Sequence, residues 1–415
     1  MPFRELFEET LTYTAPSHGD WGLVRIASLL PESHMIFFCP SACGRHGALG
    51  AVAQGFKDRV AYCFLDREDI IGGIDDVVRD GVSQLLAQLP KRPRVVLLYV
   101  SCLDDLIGTD LDALAHELAM EYPDVLFRVG HMNPISLDGP TPPPVSTQDM
   151  MYGLLGPLPK DRGVNFIGNF VPLDERGELH RFLRGCGVTD IRHISMYATF
   201  DGFLEMARSS YNFVMMPAAR LAASHLEERL GTPFMSLAAT YDVGEISEQY
   251  RGIADFLGAR PTYGLSADAA KAEEKIRQAR AFLGGRPVSV SGGAVLKPFA
   301  LARALLRYGF CVESVVTDEV LPFDEGAVEE VLGAGVALIE PTHTNVIKFA
   351  HRSPDALAIG FDAAYITGSR HIVNLSNDHT VFGYHGVGKL MDMMAQAGES
   401  AYDLETLLKE YGVVL

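Results

Sequence analysis

The sequence predicts an α/β protein made of three doubly wound, parallel-sheet (Rossmann-like) domains. Three observations carry that expectation. Short apolar runs of strand length alternate with longer stretches of helical periodicity from residue 35 onward. Glycines and prolines fall between those runs more than within them, as punctuation between elements requires. The chain has 415 residues, more than one core accommodates, so two or three domains are expected.

The first region, residues 1–150, opens with helical patterning and a turn-rich stretch, Pro16-Ser17-His18-Gly19-Asp20-Trp21-Gly22. Met35 to Phe38 reads as a strand running into Cys39-Pro40-Ser41-Ala42-Cys43-Gly44. Gly44, Gly47 and Gly50 follow at helical spacing. That spacing fits a phosphate-cradling turn or, more commonly, close packing of a helix on a strand. Val60 to Leu65 is a short strand. Val77 to Leu89 is an amphipathic helix with Val78, Val82, Leu85 and Leu86 on one face, stopped by Pro90 and Pro93. Val95 to Val100 is the next strand, Leu111 to Glu121 a helix, and Val125 to Val129 a strand with His131 in the loop at its end.

Residues 139–147 contain four prolines, which cannot continue a helix or an inner strand and set a boundary near 150. The second region, 151–285, holds strands at Val164–Gly168, Ile191–Ser195 and Asn212–Met216. Its helices fall at Leu221–Leu230, 246–258 and 267–284. The third region, 286–415, begins with a strand ending at Ser291-Gly292-Gly293 and a helix at Pro298–Tyr308. Strands follow at Val312–Val316, Val336–Glu340, Ala356–Ile359 and His371–Leu375, then helices near 386–396 and 402–411.

Composition narrows the function classes. The chain is 48% hydrophobic and 21% charged, enough for a packed interior. Its net charge of −18 argues against nucleic acid or an anionic membrane as a partner. No apolar run approaches the roughly 20 residues that span a bilayer, and no secretion signal is read at the N-terminus. A cytoplasmic protein is expected. Its six cysteines then read as free thiols, catalytic groups or metal ligands, not disulfides.

Cys43 and Cys102 each fall just past the carboxyl end of a predicted buried strand, where parallel α/β sheets build ligand sites. A thiolate pair there suits a soft metal or an iron–sulfur cluster. Cys39 and Cys63 can join such a site or serve as small core residues. Cys186 and Cys311 have no Cys or His at ligand spacing and read as core. His131, His343 and His379 fall in loops at predicted strand ends. A histidine there can protonate a substrate or ligate a metal, or simply hydrogen-bond within its loop. If its segment is extended, His343 shares a side with Asn345. Asp104 and Asp105 suit a helix N-terminus.

A family resemblance follows from these motifs. Cys39-Pro40-Ser41-Ala42-Cys43-Gly44 resembles the "His-Gly-Pro-x-Gly-Cys-Gly" turn of the nitrogenase component 1 family. Cys102 to Asp110 is similar to its "Cys-x(4)-Ile-Gly-Asp-Asp" motif, and Asp66 to Gly73 to its acidic run ending in Gly-Gly. Val164 to Gly168, Asn212 to Pro217 and Leu226 to Pro233 also fit. Tyr384-His385-Gly386-Val387-Gly388 resembles "Tyr-His-Gly-Tyr-x-Gly". The likeness runs over nearly the whole chain.

That resemblance implies a nitrogenase-like oxidoreductase of the component 1 type. It would hold an iron–sulfur cluster of the 4Fe–4S kind and take electrons from an ATP-hydrolysing iron protein. Its substrate, a tetrapyrrole or another small molecule, is not identified. Cys43 and Cys102 would be ligands with one or two of Cys39, Cys63 and His18, or with a partner subunit. The family's first cluster cysteine has no counterpart near Ser17 and His18. Met216 and Ser376 stand near the positions of the cofactor cysteine and histidine of nitrogenases, so no iron–molybdenum cofactor is expected. The resemblance further implies a homodimer or a heterodimer with a similar chain. A scaffold for assembling a metallocluster or cofactor is the alternative, and a metal-free α/β ligand-binding protein a further one.

Overall fold

Three parallel sheets frame the molecule in the computed structural model, which describes residues 22–103, 108–132, 141–343, 346 and 353–410. The chain gathers into two compact units. One comprises Asp20–Pro172 and Thr189–Leu237; the other includes Leu173–Val188 and Ala238–Leu415.

The first sheet contains β1 (Ser33–Cys39), β2 (Val60–Phe64), β3 (Val95–Ser101) and β4 (Leu126–Met132), in the order β2-β1-β3-β4. Every position of β1 and β3 is buried. Their unbroken apolar runs are those of strands covered on both faces. Alternation then divides the side chains. Met35, Phe37, Cys39, Leu97 and Tyr99 enter one core, while Ile36, Phe38, Val96, Leu98 and Val100 enter another. Phe37 stacks between Tyr62 and Tyr99, with centroids 5.3 and 4.9 Å away.

Helix α1 (Ser41–Ala53) follows β1. Helix α2 (Arg67–Gly72) opens with a capping box between Asp66 and Asp69. Helix α3 (Asp75–Gln88) buries Val78, Val82 and Leu86, four residues apart. Helix α4 (Leu111–Glu121) leads to β4.

The proline-rich stretch behaves differently from the expectation. Pro143 and Pro144 open helix α5 (Pro143–Tyr152). Proline suits the first helical turn, where its missing N–H would have no intrahelical partner anyway. Met151 and Tyr152 of α5 enter the core that contains Phe37 and Tyr99.

The second sheet holds β5 (Val164–Ile167), β6 (Ile191–His193), β7 (Tyr211–Val214) and β8 (Phe234–Ser236), ordered β6-β5-β7-β8. Ile167, Phe203 and Val214 share the core of Met35 and Phe37. The expected boundary at 150 therefore falls inside one compact unit, and the one at 285 inside the other.

The other unit carries β9 (Pro287–Ser291), β10 (Cys311–Val316), β11 (Ala337–Ile339), β12 (Leu357–Ile359) and β13 (His371–Val373), ordered β11-β10-β9-β12-β13. Around them lie α6 (Glu178–Gly185), α7 (Val243–Phe256), α8 (Ser266–Leu283), α9 (Pro298–Arg307) and α10 (Gly383–Glu399). Buried Glu178 accepts hydrogen bonds from Tyr250 Oη (2.7 Å) and from the backbone N–H groups of Tyr384 (2.6 Å) and His385 (3.0 Å). It thereby satisfies two open donors of the first turn of α10. Among the described residues, no helix is long and apolar enough to cross a membrane.

Candidate functional site

The exits of β1 and β3 form the rim of interest. Phe38 pairs with Val100, so both strands leave the sheet at the same level, about 4.8 Å apart in the hydrogen-bonding direction. From β1 the chain turns toward β2, and from β3 toward β4, on opposite sides. This is the switch point at which open α/β sheets bind ligands.

Cys43 lies in the first turn of α1 and is exposed; Cys102 follows the last residue of β3 and is half-buried. The Cys43 and Gly44 N–H groups donate to Pro40 O at 2.9 and 3.1 Å. Gly44 lets α1 close on the sheet. A Cβ there would lie 2.9 Å from Phe64, 3.0 Å from Tyr62 and 3.1 Å from Cys39 Sγ. Close packing, not a phosphate cradle, thus accounts for this glycine.

The other two cysteines part ways. Cys39 ends β1, fully buried in the first core. Burial pushes its thiol up to about 12, and the sulfurs of Cys43 and Cys63 push in the same direction. Cys63 pairs with Phe38 and packs against the second core, near Gly81 of α3. Burial raises its pKa too, with Asp69 and Asp80 adding. Period two sends Cys39 and Cys63 to opposite faces of the sheet. Among the described residues, no three of His, Cys, Asp and Glu are placed to hold a metal ion.

The expected histidines are dispersed. His18 lies outside the described residues, as do Asp104, Asp105 and Asn345. His131 is not in a loop: the β3–β4 ladder extends to Ser101–Met132, which puts His131 within β4 opposite Val100. His343 and His379 belong to the other unit. His343 is half-buried after β11, its N–H donating to Glu340 O at 3.3 Å. His379 is buried, its N–H donating to Asn377 Oδ1 at 3.2 Å.

A polar cluster at the carboxyl ends of β9, β10 and β13 escaped the sequence reading. Buried Asp324 accepts from the N–H groups of Phe299 and Ala300, both at 2.8 Å, and so caps α9. Buried Asp378 accepts from Tyr241 Oη at 2.5 Å and Leu296 N at 3.3 Å. Lys297 stands beside both. Burial lowers its pKa, and the carboxylates of Asp324 and Asp378 oppose that shift. Burial raises both aspartates. A lysine immediately before a helix that starts at Pro298 opposes the helix dipole, and that was the legible signal.

Apolar side chains are exposed on the elements that follow β1: Leu49 and Val52 on α1, Phe64 at the end of the edge strand β2, and Ile71 on α2. Ile71 is the most exposed of the four, at 81%.

Comparison with known proteins identifies the family. Residues 21–398 match the model of the family described as nitrogenase component 1 type oxidoreductase. The nitrogenase iron-molybdenum cofactor biosynthesis protein NifE of Rippkaea orientalis is 23% identical over 405 residues, covering 92% of this chain and 84% of that protein. A subunit of the light-independent protochlorophyllide reductase of Rubrivivax gelatinosus is 24% identical over 241 residues, covering 54% of this chain and 44% of that protein. The solved structure described as "Nitrogenase Cp1 at pH 6.5" superposes with a TM-score of 0.71 at 16% identity, covering 95% of this chain and 94% of that one. That likeness is one of fold. With the family model spanning nearly its whole length, the chain belongs to the nitrogenase component 1 type oxidoreductase family.

Proposed function

We propose that this chain is the component 1 subunit of a nitrogenase-like reductase, and that Cys43 and Cys102 are its ligands to an iron–sulfur cluster. One observation carries the reading: two accessible thiols stand at the neighbouring exits of β1 and β3, on either side of a switch point. The donor chemistry fits, since thiolates are the ligands of such clusters. The first turn of α1 favours a negatively charged group beside Cys43. Cys39 keeps its proton far above neutral pH and serves as core beneath α1.

A 4Fe–4S cluster takes about four ligands, so a second chain, with or without His18, supplies the remainder. The exposed apolar side chains Leu49, Val52, Phe64 and Ile71 give that second chain a surface to cover. The assembly is then a homodimer or a heterodimer with a similar chain. When bound, the cluster supplies single-electron transfer at low potential, fed by an ATP-hydrolysing iron protein. The substrate class is a tetrapyrrole or another small molecule.

A second reading has its own support. The match to NifE covers far more of both chains than the match to the protochlorophyllide reductase chain. A scaffold that assembles a metallocluster and passes it on would keep the same cysteine rim.

Anaerobic purification tests both. Wild-type protein should contain iron and sulfide, and Cys43→Ala and Cys102→Ala should each lose most of it. Cys311→Ala, an exposed cysteine of the other unit, should not. Iron retained by the Cys43/Cys102 double variant, or a folded, iron-free wild type, overturns the proposal. Cluster oxidation only on adding substrate, iron protein and ATP supports the reductase; transfer of iron to an acceptor protein without ATP supports the scaffold.

A further inference from the structure

The unit that lacks the cysteine rim contains a cavity of about 450 Å3 between α6, α8 and α10. Arg176, Arg181, Lys271, Lys275, Lys389 and His385 line it. We propose that this cavity binds a compact multivalent oxyanion, the chemistry shared by phosphate-bearing and polycarboxylate small molecules.

The charge pattern carries the argument. The whole chain has a net charge of −18, yet one cavity collects five permanent cations. Such a local reversal of sign concentrates anions. Three cations are partly engaged: Arg176 with Asp174, Arg181 with Asp268, and Lys275 with Asp392. Two are not. Among the described residues, Lys389 Nζ donates only to the uncharged Thr380 hydroxyl, at 2.9 Å. Lys271 is exposed to the cavity and has no ion-pair partner among the described residues.

The acids in the wall do not cancel this. Asp268 already accepts from Arg181 and Tyr263, and Asp392 from Lys275. Glu178 is buried beneath three donors. Because Glu178 fills the first turn of α10, side chains and not helix N–H groups would hold the ligand. Lysine ammonium groups act as point charges for phosphate, whereas the guanidinium of Arg181 already donates to Tyr263 Oη, Arg176 O and Asp268 and adds only its charge. The volume lies in the range of small-molecule sites.

Gly388 gives a clean probe. It lies mid-helix in α10 on the cavity wall, and a Cβ there would meet only Lys275 Cγ, at 3.7 Å. Gly388→Asp therefore adds a carboxylate on the cavity wall, and its Cβ displaces no neighbour.

Isothermal titration of the full chain with inorganic pyrophosphate, with tricarballylate, and with chloride at matched ionic strength is the experiment. We expect saturable one-to-one binding of a multivalent anion that chloride does not reproduce. The tighter of the two multivalent arms tells phosphate-bearing ligands from polycarboxylates. Gly388→Asp and Lys271→Glu should each weaken that binding at least tenfold, while Lys57→Glu, the same charge change as Lys271→Glu made in the other unit, should leave it unchanged. Circular dichroism checks that each variant is folded. Absence of binding beyond the chloride control, or folded Gly388→Asp and Lys271→Glu proteins that bind like Lys57→Glu, overturns the proposal.

Discussion

Replacing Gly44 by alanine tests the packing that sets Cys43 over the exit of β1. On an open helix surface the change would stabilise the protein by about 1 kcal/mol, because alanine has less backbone freedom to lose. Gly44 is not open. The new methyl would sit 2.9 Å from Phe64, 3.0 Å from Tyr62 and 3.1 Å from Cys39 Sγ. Phe64 is 55% exposed and can swing outward. Cys39 is locked in the core and cannot. Overpacking of this kind costs about 1–3 kcal/mol, which leaves a net loss of about 1 kcal/mol after the helix gain. Gly388 supplies the opposite sign. Its methyl finds only an ordinary contact with Lys275, so Gly388→Ala should gain about 1 kcal/mol. Urea unfolding followed by circular dichroism should show a lower midpoint for Gly44→Ala and a higher one for Gly388→Ala. A raised midpoint for Gly44→Ala would refute the close approach of α1 to β1.

Further outcomes follow from named groups. In metal-free protein, iodoacetamide at mildly alkaline pH should label exposed Cys43 and Cys311 early and Cys39 last, as read by peptide mass spectrometry, because burial holds the Cys39 thiol protonated up to about 12. Arg59 donates to the carbonyls of Ser28, Leu30 and Ser33 and to Ser33 Oγ. Arg59→Met leaves those acceptors without their donor and should cost about 3 kcal/mol, with Arg59→Lys restoring only part. His193 is neutral in the folded protein: Nε2 donates to Asn169 O at 2.9 Å, and Nδ1 accepts from Ser195 N at 3.2 Å. Burial lowers its pKa to about 4, so the unfolded chain binds the extra proton first. The stability His193 contributes is complete above about pH 6.5 and drains away as pH falls toward 4, by at most about 3 kcal/mol. His193→Gln should flatten that stretch of the stability–pH curve; an unchanged slope would count against the buried neutral imidazole.

Much of the architecture was legible because its signal is local. Unbroken apolar runs such as Val95 to Val100 name strands covered on both faces, and helical spacing at Val78, Val82 and Leu86 names the layer over them. The site was legible only to the same depth. That Cys43 and Cys102 follow strands can be read from sequence; that those strands are neighbours on either side of a switch point cannot, because strand order is a tertiary property. Register decided the rest. Cys39 and Cys63 looked like equal candidates until pairing of Phe38 with Cys63 sent their side chains to opposite faces. His131 moved from loop to strand because ladder pairing outlasted the apolar run. The prolines at 142–144 misled for another reason: the residue that breaks a helix interior also begins one well, and only the position of the next turn tells which.

Glu178 has a consequence for synthesis. Its donors Tyr384 and His385 lie about 200 residues downstream. As the nascent chain emerges, the unit built from 20–172 and 189–237 has all of its residues once Leu237 is out, and it can fold first. The segment from Leu173 to Val188 is then already made but has no home. It must wait, its carboxylate solvated, until the ribosome has delivered the start of α10. Closing so long a loop is slow relative to local helix formation. A ribosome stalled anywhere between those two points would present an amphipathic helix whose greasy side has nothing yet to rest on, a natural handhold for a chaperone.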